Sequence, residues 1–395
     1  MPLKNSNKKV LLIVQNNSFP FDKRVFKEAQ SLRKYGYIVT VISPTSSFDK
    51  EKRVTFEEIE VVRYKSSVSR GNILSYLNEF FFSVLKIHFI FLKLHLQKHF
   101  AVVHTANPPD LFWPIALICK ITGAKFIYDQ HDLSPEIYHN KYGKKGLLYS
   151  ILSLNEKLSV LLSDSVILVN QSFKNRLEKK WGCKDKYVIV YNSTANDFEP
   201  KKNENLVKKY SGKKIILYIG LMTKNDNIEI IIDAADKIIN KKKRQDCYFI
   251  LLGSGDVENA MKTESVRRGL KNFIEFKGYV EQNIVMEYLH IADIGIAPDL
   301  PNGLNEYLTL VKILEYMKAG KPFVAFKLPE TMNMANGCGL FSESINEFVD
   351  NILSLLDNNE SAKLLGEKGK ILVNEKYLWS YSEKVLIDVY KNLLT

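Results

Sequence analysis

Short β-branched runs alternate with helix-length amphipathic stretches along almost the whole chain, and the alternation restarts once. In the first half the runs are Val10–Val14, Ile38–Ile42, Ile59–Tyr64, Ala101–His104, Lys125–Asp129, Val166–Val169 and Val188–Tyr191. In the second they are Ile215–Ile219, Tyr248–Leu252, Phe273–Phe276, Ile294–Ala297 and Pro322–Ala325. They are nearly continuous in apolar residues, as strands are when helices cover both faces of a sheet. This pattern predicts an α/β protein built on two parallel, doubly wound sheets. The pause falls at residues 192–213, a polar stretch containing Pro200, and the domain boundary is expected there. A last amphipathic helix is expected over roughly residues 378–394.

The 395 residues suffice for two domains, and 46% apolar with 25% charged residues is a globular balance. Disordered, collagen-like and disulfide-stapled classes are thereby excluded. Cys119, Cys183, Cys247 and Cys338 are isolated, with no CxxC pair, so a zinc site is not expected and a reducing cytosol is the simplest compartment. The first apolar run, Val10–Val14, is too short for a signal-peptide core and reads as a strand. The net charge of +12 is uneven: residues 1–200 carry 29 Lys and Arg against 18 Asp and Glu, the remainder 27 against 26. So basic a half suits an anionic partner, either a phospholipid surface or a phosphorylated substrate, although solubility alone would also account for it. Nucleic acid is disfavoured, because the basic residues are dispersed and no reading motif is present.

The segment 72–100, NILSYLNEFFFSVLKIHFIFLKLHLQKHF, is very apolar, yet Glu79, Lys86 and Lys93 recur every seven residues. A spanning helix needs about 18 or more apolar residues in a row. The segment therefore reads as one long amphipathic helix, with Ser83 and Gln97 extending its narrow polar stripe. Such a helix packs on a sheet or dips a Phe-rich side into a bilayer interface.

Several strand ends carry candidate chemistry. The first strand leads into QNNSFPFDKRVFKEAQ with no GxGxxG, which disfavours a nicotinamide or flavin site. Asp22 can cap the following helix, and Arg24 in its first turn is placed to meet an anion or, as a surface residue, Glu28. KFIYDQHDLSPEIY, residues 125–138, puts His131 just past a buried strand, where it either reaches a cleft or is tied structurally to Asp132 or Glu136. Gly220 ends one strand of the second half, and LLGSGD repeats the design at Gly253 and Gly255; such glycines serve either a ligand cleft or tight turns. The most informative stretch is APDLPNGLNEYLTLVKILEYMKAGKPFVAF, 297–326. Thr309 can cap a helix running to about Ala319, leaving the N–H groups of Leu310 and Val311 free for a diphosphate. Lys312 adds a positive charge, and Glu315 one turn on can accept both hydroxyls of a ribose. The plainer alternative is a Lys312–Glu315 surface pair.

Together these pieces resemble the glycosyltransferase family 4 enzymes (glycosyl transferases group 1), of the bacterial surface-polysaccharide type. The resemblance rests on FDKRVFKEAQSLRKYGYIVTVIS, YDQHDLSPE, LVNQSFKNRL, VYNSTANDFEP, LLGSGD, FKGYV, YLHIADIGIAP, VKILEYMKAGKPFVAF and WSYSEKVLIDVYKNLL, in that order over nearly the whole length. It implies the GT-B fold, two Rossmann-like domains facing across a cleft. Residues 1–200 plus 378–395 would form the acceptor side, and residues 205–377 would bind the nucleotide sugar. It further implies transfer from a nucleoside-diphosphate sugar, UDP favoured, with retention of configuration and with neither bound metal nor cofactor. The acceptor would be lipid-linked or a glycan, in capsule, O-antigen or exopolysaccharide assembly. The enzyme would be cytoplasmic, with peripheral contact to anionic lipid of the inner membrane.

By resemblance, His131 lies near the donor sugar and Glu315, as the second Glu of the family's EX7E motif, binds the ribose; with Lys312 they form the expected catalytic set. Gly220, Thr223, Lys224, Gly253, Gly255, Asp299, Tyr307, Thr309, Leu310 and Val311 would bind the donor. Asp22, Arg24, Asp132 and Glu136 would lie on the acceptor side. The chain departs from the family where Arg and Lys are usual, with Leu221 and Asp226 there instead, and Tyr307 replaces the first Glu of the EX7E motif, with Glu306 beside it. Lys312 and Lys224 are the nearest replacements. These losses leave open a non-catalytic GT-B subunit that binds nucleotide or a partner transferase, or a hydrolase or epimerase.

Overall fold

The computed structural model describes residues 8–46, 50–65, 73–194 and 198–395, with the side chains of the helix Ile73–Lys98 described from Phe80 onward. Two units emerge: Met1–Tyr191 with Ser382–Thr395, and Asn192–Tyr381.

Among the described residues the first unit holds eight strands: β1 (Lys9–Ile13), β2 (Ile38–Pro44), β3 (Arg53–Phe56), β4 (Ile59–Tyr64), β5 (Val102–Ala106), β6 (Lys125–Gln130), β7 (Ser165–Leu168) and β8 (Tyr187–Ile189). Their order in the sheet is β3-β4-β2-β1-β5-β6-β7-β8. All pairings are parallel except β3 with β4. The order turns back between β1 and β5, so the carboxyl ends of β1, β5 and β6 share one edge beside the switch point, where such folds bind ligands. The helix after β1, Lys23–Lys34, starts on Asp22, whose carboxylate accepts from the amides of Arg24 (3.2 Å) and Val25 (3.1 Å).

Among the described residues the second unit has six strands, β9 (Lys214–Ile219), β10 (Cys247–Leu252), β11 (Ile274–Gly278), β12 (Ile294–Ala297), β13 (Phe323–Phe326) and β14 (Leu340–Ser342), in the order β11-β10-β9-β12-β13-β14. Every pair is parallel, and the switch point lies between β9 and β12. Tyr316, on the helix Val311–Lys318, ties these two central strands together. Its hydroxyl donates toward the carbonyls of Leu217 (3.0 Å) and Ile296 (3.1 Å) and accepts from the Ile219 amide (3.1 Å). The ring lies flat against Gly295, where a Cβ would come within 2.4 Å of it.

Two strands are additions to those expected. β3 folds back on β4 through Glu57 and Glu58, both at positive φ (47° and 61°). Such a turn is usually written Asn-Gly, so the hairpin carries no sequence mark. β14 is a three-residue edge strand, too short to show a period. The domain limits also shift. Residues 192–200, expected in the first domain, join the second unit, and so do Leu378–Tyr381. Phe198 is buried, Glu199 pairs with Lys318 (2.9 Å) and Lys370 (3.3 Å), and Thr194 bridges Leu378, so these described residues of the expected linker are packed. Residues 195–197 of that linker, and Asn72 at the start of the expected long helix, lie outside the described residues.

The helix Ile73–Lys98 buries Val84, Ile87, Phe91 and Leu94 and packs against β2 and β4. Lys86, Lys93 and Gln97 are exposed as expected, but Ser83 is buried. The exposed side is itself apolar: Phe81, Phe82, Phe89 (72% exposed) and Leu96 (71%) lie on it. Phe80–Lys98 is long and apolar enough to cross a membrane by length and composition, and about a third of it is buried.

The close approach of Gly295 to Tyr316 gives a stability test. Gly295→Ala is expected to cost about 1–3 kcal/mol through overpacking, read as a lower urea midpoint for the transition of the second unit.

Candidate active site

At the carboxyl edge of the first sheet, one buried carboxylate collects most of the polar contacts. Asp129, the fifth residue of β6, is fully buried. Arg24 donates to it from Nη2 (3.1 Å) and Nε (3.3 Å), and His131 Nε2 lies 2.6 Å from its Oδ2. His104 of β5 places Nε2 3.4 Å from the same oxygen, and its Nδ1 is 2.9 Å from the hydroxyl of Tyr390. Arg24 also pairs with Glu28 (3.1 Å) and donates from Nη1 to the Val190 carbonyl (2.8 Å). Burial alone would raise the Asp129 pKa, but the Arg24 charge and the neighbouring His131 and His104 rings hold it well below the usual carboxylate range. Burial and the charge of Asp129 push Glu28 well above that range, against the opposing pull of Arg24. Burial also lowers the pKa of His104, which stays neutral. Glu28, His104 and Asp129 bring one ligand atom each within 4.8 Å of one another, the spacing of a metal triad. The cation paired with both carboxylates here is the Arg24 guanidinium.

The loop after β6 hangs on Asn107. Its side-chain oxygen accepts from the amides of His131 (2.6 Å) and Asp132 (3.0 Å), and its NH2 donates to the Asp132 carbonyl (2.8 Å) and to Asp110 (2.7 Å). Tyr128 donates a short bond to the same Asp110 oxygen. Burial raises the Asp110 carboxyl to about 6, despite the bonds from Tyr128 and Asn107. Burial likewise raises Asp132, with His131 opposing. Glu136, in the helix Ser134–Tyr142, pairs with Arg176 (2.6 Å), and Arg176 is in turn held by buried Glu156 (2.7 Å).

In the second unit the loops after β9, β10 and β12 converge. The Gly220 amide donates to Leu252 and the Met222 amide to Ser254, zipping two loops together (3.0 and 3.1 Å). Any Cβ on Gly253 would lie 1.8 Å from the Gly220 carbonyl oxygen, and one on Gly255 2.2 Å from that of Met222. Gly220 itself sits at φ +156° with Tyr218 Oη and Lys312 Cε below it. Lys312 is buried, bonds both oxygens of Asp299 (2.9 and 3.2 Å) and lies 4.8 Å from the centre of the Tyr218 ring. Burial would lower its pKa, but Asp299 more than compensates. The helix begins at Val311 with Leu310 as its N-cap and no side-chain capping bond. Glu315 is half-buried, with Gln282 Nε2 3.3 Å from its Oε1.

Residues 23–195 match the family described as Glycosyltransferase Family 4, and residues 213–358 match Glycosyl transferases group 1. The chain belongs to this glycosyltransferase family. An uncharacterized glycosyltransferase of Methanocaldococcus jannaschii is 24% identical over 65% of this chain and 68% of its own length. A poly(ribitol-phosphate) alpha-N-acetylglucosaminyltransferase of Staphylococcus aureus is 24% identical over 49% of this chain and 37% of its own. Among solved structures, a sucrose-phosphate synthase from Thermosynechococcus elongatus superposes with a TM-score of 0.78 at 15% identity, covering 98% of this chain and 99% of that one. Anabaena HepE, in complex with UDP and glucose, superposes at 0.72 with 14% identity, covering 97% and 99%. The fold is GT-B, with a parallel α/β sheet in each unit.

Several site residues of the glycosyltransferase stand differently from expectation. Arg24 is not a surface residue waiting for an anion, since it is buried between Asp129 and Glu28. Lys312 does not pair with Glu315 across the helix surface, because Asp299 takes its ammonium inside. The helix starts one residue later than predicted, so its cap is Leu310 rather than Thr309, and the amides left at its start are those of Val311 and Lys312. Glu306 accepts from the amides of Asn302 (3.2 Å) and Gly303 (2.8 Å) and so closes its own loop, while Tyr307 ends the short turn that follows. Asp226 is taken up by the Thr223 amide (3.0 Å) and hydroxyl (2.6 Å), which leaves Lys224 exposed between them in sequence. Asn107, Asp129 and Glu156 are not among the candidates the sequence offers. A lone Asp inside an apolar strand, two residues before His131, was the available signal for Asp129.

Asp110 gives a pH test. Its folded-state pKa of about 6 lies above the ordinary 3.8. Its contribution is therefore complete below about pH 4 and lost as the pH rises through about 6, a change on the order of 3 kcal/mol. Urea titrations of the protein and of Asp110→Asn from pH 4 to 7 should show that fall in the natural protein, and the difference between the two curves isolates it.

Proposed function

We propose that the protein is a retaining glycosyltransferase that moves a hexosyl or N-acetylhexosaminyl group from a UDP-sugar to a lipid-linked or glycan acceptor in surface-polysaccharide assembly. The observation that carries this reading is the uncapped start of the helix Val311–Lys318, with Glu315 one turn along it. Breaking the anomeric C–O bond leaves negative charge on the departing diphosphate, and aligned amides at a helix start stabilise such charge. The Val311 and Lys312 amides fill that role, with exposed Lys224 as the mobile cation. Glu315 accepts the ribose hydroxyls. The backbones of Gly220, Gly253 and Gly255 and the side chains of Thr223, Asp299, Tyr307 and Thr309 shape the donor side. His131 orients the sugar and the attacking hydroxyl, with Asp22, Asp132 and Glu136 around the acceptor. A phosphate oxygen takes the acceptor proton, which puts attack on the face the diphosphate leaves and retains configuration. No step requires a metal. HepE was captured with UDP and glucose, and the Staphylococcus relative is named for a polymeric phosphate acceptor, which supports the donor and acceptor classes.

Isotope-labelled UDP-sugars incubated with membrane lipid extracts test this. Glu315→Ala should raise the donor KM by roughly tenfold or more, since it removes two buried hydrogen bonds to one charged group. UDP binding without turnover on any acceptor would favour the non-catalytic reading instead. That alternative is motivated by Leu221, Asp226 and Tyr307 standing where the family has Arg, Lys and the first Glu, and by Lys312 being committed to Asp299.

The lipid-linked acceptor implies work at a bilayer, and the exposed helix face supplies a surface for it. Phe81, Phe82, Phe89 and Leu96 are joined by Leu117 and Ile121 of the helix Trp113–Thr122 and by Leu147, Ile151 and Leu154 of the helix Leu147–Leu162. His95 meets Thr122 (2.9 Å) and Trp113 meets Asn155 (2.8 Å), so the three helices are neighbours. Lys86, Lys93 and Lys120 lie exposed on the first two of these helices. Apolar side chains with a lysine fringe fit anionic lipid at the inner face of a cytoplasmic membrane. The protein should float with phosphatidylglycerol vesicles, and Phe89→Glu with Leu96→Glu should return it to the soluble fraction. Natural protein left wholly in solution would refute the docking.

A further inference from the structure

The pairing of β5 with β6 runs to Ala106 opposite Asp129, and the Asn107 amide adds a last ladder bond to the Asp129 carbonyl (3.0 Å). Beyond that point the chain continues from β5 into Pro108 and Pro109, which have no N–H to give a ladder. A side chain takes over instead. Asn107 Oδ1 accepts from the amides of His131 (2.6 Å) and Asp132 (3.0 Å), and its NH2 group donates back to the Asp132 carbonyl (2.8 Å). Three backbone groups of the loop after β6 thus rest on one fully buried side chain. The neighbours settle which way round that side-chain amide lies. Oδ1 faces the two loop N–H groups, while NH2 faces the Asp132 carbonyl and an Asp110 carboxylate oxygen (2.7 Å). Turned over, it would set donor against donor and acceptor against acceptor. The Asp110 anchor is itself fixed. Tyr128 donates a short bond to the same oxygen, and Ser159 of the helix Leu147–Leu162 donates to the Asp110 carbonyl (3.0 Å).

We propose that Asn107 is a positioning residue for the transfer reaction: its side chain sets the place from which His131 and Asp132 reach the sugar and the attacking hydroxyl. This rests on the roles of those two residues proposed above. The far end of His131 is held separately, with Nε2 3.0 Å from Arg24 Nε and 2.6 Å from Asp129 Oδ2. Those contacts fix where the ring ends, and Asn107 fixes where the side chain starts. Being fully buried, Asn107 acts through the loop rather than on a substrate. Misplacing a reacting group by about 1 Å is enough to cost roughly 10²-fold in rate, so a loop held at three backbone points is a kinetic device as well as a structural one. The chemistry of the contacts also says why the residue is Asn. Asp would keep the oxygen for the two amides but lose the donor to the Asp132 carbonyl and set a second carboxylate beside Asp110, and Ala offers neither group.

Amide hydrogen exchange and kinetics test the clamp and its effect separately. In Asn107→Ala the His131 and Asp132 amides should exchange roughly tenfold faster than in the natural protein. The Lys125 amide, bonded to Ala101 at the other end of the same two strands (2.9 Å), should keep its rate. The kcat should fall by roughly 10²-fold with the donor KM within about twofold, because the donor residues proposed above lie in the second unit. A merely structural role would speed the Lys125 amide too and leave kcat per folded molecule intact. If Asn107→Ala does not fold, Asn107→Ser, too short to reach both loop amides, is read in its place. The double variant Asn107→Asp with Asp110→Asn exchanges the partners: residue 107 keeps an oxygen for the loop amides, and residue 110 supplies the NH2 that meets it. It should restore slow exchange and recover part of kcat. Unchanged exchange at His131 and Asp132, or natural kcat in Asn107→Ala, overturns the proposal. So does a double variant that holds both amides yet leaves kcat at the level of Asn107→Ala. Natural protein that transfers sugar to no acceptor would instead sink the proposed reaction, and the positioning role with it.

Discussion

In each unit the functional edge of the sheet depends on a cation buried against a carboxylate: Arg24 with Asp129 in the first, Lys312 with Asp299 in the second. A buried charge without its partner costs several kcal/mol, so neither ion of either pair is free to leave. Both pairs stand where parallel strands end, and for a parallel sheet this is where the backbone stops satisfying itself and side chains take over. The surrounding loops are arranged around these pairs. A Cβ on Gly220 would lie 2.8 Å from the Tyr218 hydroxyl and 3.2 Å from the Lys312 stem, and Gly253 and Gly255 are required because the neighbouring loop backbone occupies the space of their side chains.

The glycines therefore do something other than what a lone GxG first suggests. Their spacing reads as a phosphate cradle, yet each is needed for loop-to-loop packing before any ligand arrives. The two uses are compatible. Loops zipped by the Gly220–Leu252 and Met222–Ser254 bonds are rigid, and a rigid loop holds its free amides in place for a ligand without further ordering cost.

Buried parallel strands were legible because each is an unbroken apolar run, and the order of the runs set the fold class. The β3–β4 hairpin was not, since Glu57 and Glu58 adopt a turn that composition does not announce. Candidate site positions stand out in the sequence where a rare residue follows a strand, as His131 does, and where a helix start is signalled, as by Thr309, one residue before the observed cap. Partners were not legible. Nothing in VKILEY says that Lys312 turns inward to Asp299, thirteen residues back, and no local pattern joins Tyr390 to His104, 286 residues apart. Sequence spacing carries helix-face and strand-face neighbours. It carries no information on which distant polar groups a buried side chain will meet, because that depends on how the sheets stack the chain.

The buried Lys312–Asp299 pair also bears on how the transfer reaction would be driven. A pair with no net charge attracts a diphosphate weakly, so on the proposed reading most of the stabilisation must come from dipoles. The helix start contributes the equivalent of about half a positive charge. Fixed dipoles need no reorganisation when the bond breaks, and they hold a developing charge better than a flexible, hydrated lysine would. On that reading, Leu221 and Asp226 in the places of the family's usual Arg and Lys point the same way, leaving the backbone at residues 310–312 and the exposed Lys224 to meet the diphosphate.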